Sequence, residues 1–192
     1  DRLFVCGGGK GVLELRDTTT RDWRVTTSRT FSGSDGAEVY RAVFSPATKS
    51  SPASSRLLIS GTEQKNLILD STTLETIVKI TITSQVDSMQ CAWHPNGESV
   101  FAMSESRAAS QFDATTGAEL RKFVYAASTT TFHGCNVNHS GTLLTLQSNS
   151  KDVCAVFDIG SGKQLHELRS EDTAGVTYCS AFSFDESRVI IV

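Results

Sequence analysis

The feature that most constrains this chain is a four-segment pattern that recurs along it. In its clearest copy, Cys91 to Phe123, a short apolar segment leads into Pro95-Asn96-Gly97 and a second apolar segment. A polar turn follows, then a third segment ending in Phe112-Asp113, then Thr115-Thr116-Gly117 and a fourth segment. Two sets of anchors track the repeat. An Asp closes the third segment at Asp17, Asp70, Asp113 and Asp158, in steps of 53, 43 and 45 residues. An apolar residue precedes the first turn at Phe44, Trp93, Val137 and Phe182, in steps of 49, 44 and 45. The long steps have a visible source. Ser45 to Arg56 reads SPATKSSPASSR where the next copy has only HPNGES, so an insertion in one turn delays both series. The remaining excess of the first series falls in the loop around Ser32 to Gly36.

The segments are short, apolar or alternating (RLLIS, LILD, SVFAMS, TLLTLQ, VCAVFD, RVIIV), and they are bounded by Gly, Asn, Asp, Ser and Thr. Strands fit this pattern, and no segment carries a helical period. Two residues before each apolar anchor the side chain is small (Ala42, Cys91, Cys135, Ser180), as expected of inner strands packed near a crowded axis. The anchors Phe44, Trp93, Val137 and Phe182 are expected to be buried at equivalent positions. Phe112 and Phe157 are expected between neighbouring sheets. The chain of 192 residues, 39% hydrophobic and 20% charged, is long enough to bury a substantial core.

A period of 43 to 45 residues with four short strands resembles the WD40 repeat of β-propellers. The best copies are AWHPNGESVFAMS with QFDATTGAELRKF, and NVNHSGTLLTLQS with VFDIGSGKQLHEL. Phe or Leu stands for the family's Trp in most copies, and Arg16 does so in the first. The family's Gly-His pair is missing, and Glu63, Ser106 and Lys151 lie where its turn Asp would be. Its buried His–Ser–Asp–Trp network therefore cannot form in the usual way. The resemblance implies an all-β propeller of four-stranded antiparallel blades. About four are represented, as 1–27 (partial), 38–80, 88–123, 131–168 and 176–192 (partial), all within one domain. A closed propeller takes roughly six to eight blades, so the chain reads as an internal stretch of a longer one.

In the family geometry the loops between second and third strands share one side of the disc. Each such loop carries a cation here: Lys10, Lys65, Arg107 and Lys151. They are candidates for an arc that docks an acidic protein surface or peptide, and they also fit ordinary solubilising charge. Ser51, before Pro52 in the inserted loop, is a candidate phosphosite. Ser45, before Pro46, sits at the normal turn position and reads as structural.

Catalytic patterns are missing. Gly7-Gly8-Gly9-Lys10-Gly11 has neither phosphate-loop spacing nor a following helix. His133, Cys135 and His139 lack the paired spacing and fourth ligand of a zinc site. His94 reads as a turn residue and His166 as part of an outer strand. No nucleophile elbow, zincin helix or carboxylate pair occurs, so no metal, cofactor or enzymatic activity is expected. Five scattered cysteines (Cys6, Cys91, Cys135, Cys154, Cys179), all in expected strands, read as buried thiols of a reducing compartment, cytoplasm or nucleus. No apolar run approaches bilayer length, so no membrane insertion is expected. The net charge of −3 and the lack of interleaved aromatics argue against nucleic acid.

Taken with the resemblance, these features point to a non-catalytic scaffold that joins other proteins in a larger eukaryotic assembly. Two alternatives stand beside it. One is a propeller enzyme or small-ligand binder with a site at the channel mouth. The other is a ubiquitin-ligase substrate receptor, which the residues two beyond each Asp (Thr19, Thr72, Thr115, Gly160) do not support, because such receptors carry Arg there.

Overall fold

A computed structural model describes residues 2–7, 11–31, 38–49, 52–62, 66–82, 88–127, 130–148, 153–169 and 179–191. Every regular element among them is a β-strand. Sheet 1 holds β1 (Arg2–Gly7), β2 (Val12–Asp17) and β3 (Val25–Thr30), and sheet 2 holds β4 (Val39–Phe44), β5 (Arg56–Gly61), β6 (Leu67–Asp70) and β7 (Thr76–Lys79). Sheet 3 holds β8 (Ala92–Trp93), β9 (Ser99–Glu105), β10 (Ala108–Asp113) and β11 (Glu119–Val124). Sheet 4 holds β12 (Phe132–Val137), β13 (Leu143–Ser148), β14 (Val153–Asp158) and β15 (Gln164–Arg169), and sheet 5 holds β16 (Ser180–Phe182) and β17 (Val189–Ile191). Within each sheet, strands consecutive in sequence pair antiparallel.

The sheets are copies down to individual hydrogen bonds. Phe44, Trp93, Val137 and Phe182 each close a first strand and pair with Leu57, Val100, Leu144 and Val189. Each third strand ends on its Asp, and its pairing with the fourth strand slips by one residue just before that Asp, at 15/16, 68/69, 111/112 and 156/157. Such a bulge sharpens the local twist and re-aims the turn. In the turn itself, the N–H of Leu74, Gly117 and Gly162 donates to the carbonyl of Asp70, Asp113 and Asp158. All three of these residues have positive φ, at 60°, 75° and 75°. Glycine suits that conformation. Leu74 accepts its cost because its side chain is fully buried against sheet 1.

The core lies in the seams between sheets. Leu13 and Phe31 of the first repeat pack on Val39, Leu57, Ile59, Leu69 and Leu74 of sheet 2. Leu58, Ile68 and Val78 face the other way, onto Trp93, Val100, Ala102 and Phe112 of sheet 3. Phe101, Met103 and Phe123 of sheet 3 meet Leu144, Leu146 and Phe157 of sheet 4, with the Phe123 and Phe157 rings edge-on, centroids 6.0 Å apart. The period-2 alternation of strand side chains thus feeds two seams from one strand, which is why β5, β9 and β14 are continuous apolar runs rather than half-polar ones. Phe112 and Phe157 are both buried at these seams.

Two expectations need correction. Of the four turn anchors only Trp93 is buried; Phe44, Val137 and Phe182 are half-buried. The anchors sit at the end of a sheet-edge strand, and Trp93 differs because Arg56 lies over its ring at 4.9 Å while its Nε1–H donates to Val43 O at 2.9 Å. Cys91 and Cys179 fall one residue before β8 and β16 rather than within strands.

Candidate functional site

In the four-stranded sheets 2, 3 and 4, antiparallel order places the first and third hairpin turns at one end, called here the turn end, and the middle turn at the opposite, loop end. At the turn end each Asp carboxylate is a cap. Asp70 Oδ1 accepts from the N–H groups of Thr72 and Thr73, and Asp113 Oδ1 from those of Thr115 and Thr116. Asp158 Oδ1 accepts from the N–H and hydroxyl of Ser161. These donors hold Asp70 and Asp113 below the ordinary carboxylate range, and the Ser161 hydroxyl followed by its N–H does the same for Asp158. Ionised caps of this kind organise turns and are poorly suited to moving protons.

The same end carries the sheet-to-sheet latches. Arg56, the first residue after the inserted loop, donates through Nη2 to Gly97 O (2.7 Å) and through Nη1 to Ala114 O (3.2 Å) in sheet 3. His94 Nδ1 accepts from Asn96 N–H, so its Nε2 carries the hydrogen and donates to Gly141 O of sheet 4 at 3.0 Å. Asn138 and Ser140 of sheet 4 donate to Glu186 in the turn of sheet 5. The Ser140 hydroxyl is the main reason the Glu186 carboxyl titrates low.

The insertion breaks this regularity. The turns of sheets 3, 4 and 5 close from His94 to Ser99, Asn138 to Leu143 and Ser183 to Arg188, whereas that of sheet 2 closes from Ser45 to Arg56. Clefts flank it on both sides. One of about 550 Å³ is lined by Thr48, Arg56, Ile77, Glu98, Asp113 and Thr115. The other, of about 600 Å³, is lined by Phe44, Pro52, Ser54, Ser55, Ser71 and Thr72. Ser45 is buried and its hydroxyl accepts from Arg56 N–H, a structural role. Ser51 lies outside the described residues.

At the loop end, Arg107 occupies the tight turn between β9 and β10, exposed, with Nη1 donating to Ala127 O at 3.4 Å. Lys10, Lys65 and Lys151 lie outside the described residues, so the arc is represented by this one cation. Among the described residues no three His, Cys, Asp or Glu side chains gather as metal ligands. Cys135 is buried, whereas His139 is exposed with its ring 4.9 Å from that of Phe184. Burial first, then the neighbouring Cys91, pushes the Cys135 thiol far up, and burial pushes Cys154 up to about 12. Neither thiol is a nucleophile at neutral pH. No helix among the described residues is long and apolar enough to cross a membrane.

Apart from the length of the insertion, the latch made by Arg56 and the two clefts carry no sequence signal, because Arg56 reads as an ordinary polar residue at a strand start. Compared with models of known protein families and with curated proteins, the sequence matches none.

Proposed function

We propose that this chain forms part of a WD40-type β-propeller and works as a non-catalytic scaffold for protein–protein contacts within a larger assembly. One observation carries the reading. The same hairpin, with the same bulge and the same Asp cap, is built four times, and its four Asp carboxylates are spent on holding it. A chain that repeats one rigid unit while varying the turns between copies offers binding surfaces and little chemistry. The inserted loop with its clefts at the turn end, and the cations that the sequence sets between second and third strands (Lys10, Lys65, Arg107 and Lys151), are the docking surfaces of this reading.

The test combines sedimentation with charge reversal. The native protein should migrate in a complex with stoichiometric partners. Changing Lys65 and Arg107 to Glu should slow association with a purified partner and flatten its salt dependence, since exposed charges steer encounter and are screened over about 8 Å at physiological ionic strength. A protein that sediments alone under all conditions contradicts the scaffold reading. Equal association rates for wild type and double variant remove the cationic arc from the interface.

A further inference from the structure

In two of the seams, an arginine on the outer strand of one sheet reaches the third turn of the next. Arg29 on β3 donates through Nη1 to Leu74 O of sheet 2 at 2.7 Å. Arg121 on β11 donates through Nη1 to Ile159 O of sheet 4 at 2.9 Å and to Gly160 O beside it. The seam between sheets 2 and 3 lacks this arginine. Register sets Arg121 opposite Gln111 and Val78 opposite Ile68, each pair just before the bulge, so Val78 on β7 holds the place of Arg121. The two side chains also press on matching glycines. A Cβ at Gly162 would meet Arg121 Cδ, and one at Gly117 would meet Val78 Cγ1. Val78 is buried and apolar, and its neighbour Ile77 lines the cleft of about 550 Å³ between the two sheets.

The cleft keeps the acceptors that such an arginine needs. Asp113 Oδ1 is the turn cap, but Asp113 Oδ2 accepts no hydrogen bond among the described residues. Glu98, exposed in the first turn of sheet 3, has a carboxylate with no hydrogen bond or ion pair among them. Thr115 O, the counterpart of Gly160 O, accepts none either. Arg56 takes Ala114 O, the counterpart of Ile159 O, but Gly97 O and the Trp93 face hold it there, and it pairs with neither carboxylate. Two carboxylates against one guanidinium leave the cleft with one negative charge in excess. Ala114 N–H donates to Glu98 O as Ile159 N–H donates to Thr142 O, so sheet 4 has Thr142 where sheet 3 has Glu98. The second carboxylate thus stands in the seam that lacks the arginine, and is missing from the seam that has Arg121.

We infer that this cleft receives an arginine side chain of a partner polypeptide, in the place that Arg121 fills in the next seam. Its guanidinium donates to the Glu98 carboxylate, to Asp113 Oδ2 and to Thr115 O. Its methylenes lie on Ile77, which is 52% exposed and forms the apolar wall. Arginine suits these acceptors better than lysine, because its planar fork serves a carboxylate in two bonds and still presents donors to a carbonyl. One added cation cancels the excess charge. The volume of about 550 Å³ lies within the range of small-ligand pockets and leaves room for the backbone on either side of the arginine. The inference rests on the reading of these clefts as docking surfaces and names the chemistry of what docks.

The experiment uses a peptide in place of a native partner, so its outcome is separate from that of the sedimentation test. The protein labelled with ¹⁵N is titrated at low salt with acetyl-Gly-Arg-Gly amide, with its lysine counterpart, and with its citrulline counterpart, which keeps the shape without the charge. Saturable shifts of the Ala114, Thr115 and Thr116 N–H signals with the arginine peptide, and none with citrulline, are expected. The lysine peptide should bind less tightly than the arginine peptide. Glu98→Gln changes an exposed side chain that holds no bond in the fold, and should weaken the arginine peptide about threefold. Glu98→Lys should weaken it about tenfold or more while the rest of the spectrum keeps its positions. Equal shifts with citrulline, lysine binding as tightly as arginine, or an unchanged affinity in Glu98→Lys would each overturn the assignment. A protein that sediments with stoichiometric partners yet ignores the arginine peptide loses this site and keeps the scaffold reading.

Discussion

Replacing Phe112 by alanine removes the largest fully buried side chain from the seam between sheets 2 and 3. Phe112 is 1% exposed and packs in one cluster with Leu58, Ile68, Val78, Trp93, Val100 and Ala102. Returning such a ring to water forfeits about 1.5–3 kcal/mol of transfer free energy. The neighbours belong to two hydrogen-bonded sheets and cannot collapse fully onto an alanine, so a cavity term adds to the loss. The sum falls at about 3–5 kcal/mol, the usual range for a buried Phe truncated to Ala. Urea unfolding followed by circular dichroism gives the value, with Leu120→Ala as control. Leu120 is 56% exposed on β11 of the same sheet, and its truncation should change stability by less than about 0.5 kcal/mol. A Phe112→Ala cost below about 1 kcal/mol, or one no larger than the control, would refute the seam as the site of the core.

Further outcomes follow from the turn end. Asp70, Asp113 and Asp158 have lowered folded-state values, so their contribution is present above the unfolded carboxylate value near 4 and is lost as pH falls through the folded values. Denaturation midpoints of wild type should therefore drop below about pH 4, and a triple Asn variant should show a flatter profile; identical profiles would remove the caps from the acid response. Gly117 has φ 75°, and a Cβ there would lie 2.7 Å from Lys79 O. Gly117→Ala should cost more than about 1 kcal/mol in a chemical melt, and a neutral result would mean the turn does not press on sheet 2. Tyr125 is buried and its hydroxyl donates to Glu167 Oε2 at 2.6 Å across the seam between sheets 3 and 4. Tyr125→Phe should lose roughly 1 kcal/mol, whereas Glu167→Gln, which keeps an acceptor, should lose less.

How much of this was legible beforehand depends on what each residue answers to. The Asp series and the apolar segments answer to local chemistry, a capped turn and a period of two, so strand class and repeat length could be read directly. The insertion was visible as a count. Contacts between sheets were not. Leu74 fills a left-handed position that glycine takes in the next two copies, because a seam buries it. Val137 resembles Trp93 in position yet stays half-buried, because burial there depends on an Arg reaching over from the preceding sheet. Arg41, Ser60 and Asn66 look like three unrelated polar residues until the strand register of sheet 2 sets them in one row. The cations Lys10, Lys65 and Lys151 share a loop position in the sequence, and they lie outside the described residues.

In the proposed propeller one structural unit is repeated around one axis, and pairwise superposition of its copies in a crystal structure of the protein tests this most directly. Rotating sheet 2 onto sheet 3 and sheet 3 onto sheet 4 should use the same axis and nearly the same angle. Asp70, Asp113 and Asp158 should then coincide, as should Leu69, Phe112 and Phe157 just before them. Two different axes, or caps and seam residues that fail to overlay, would contradict the account.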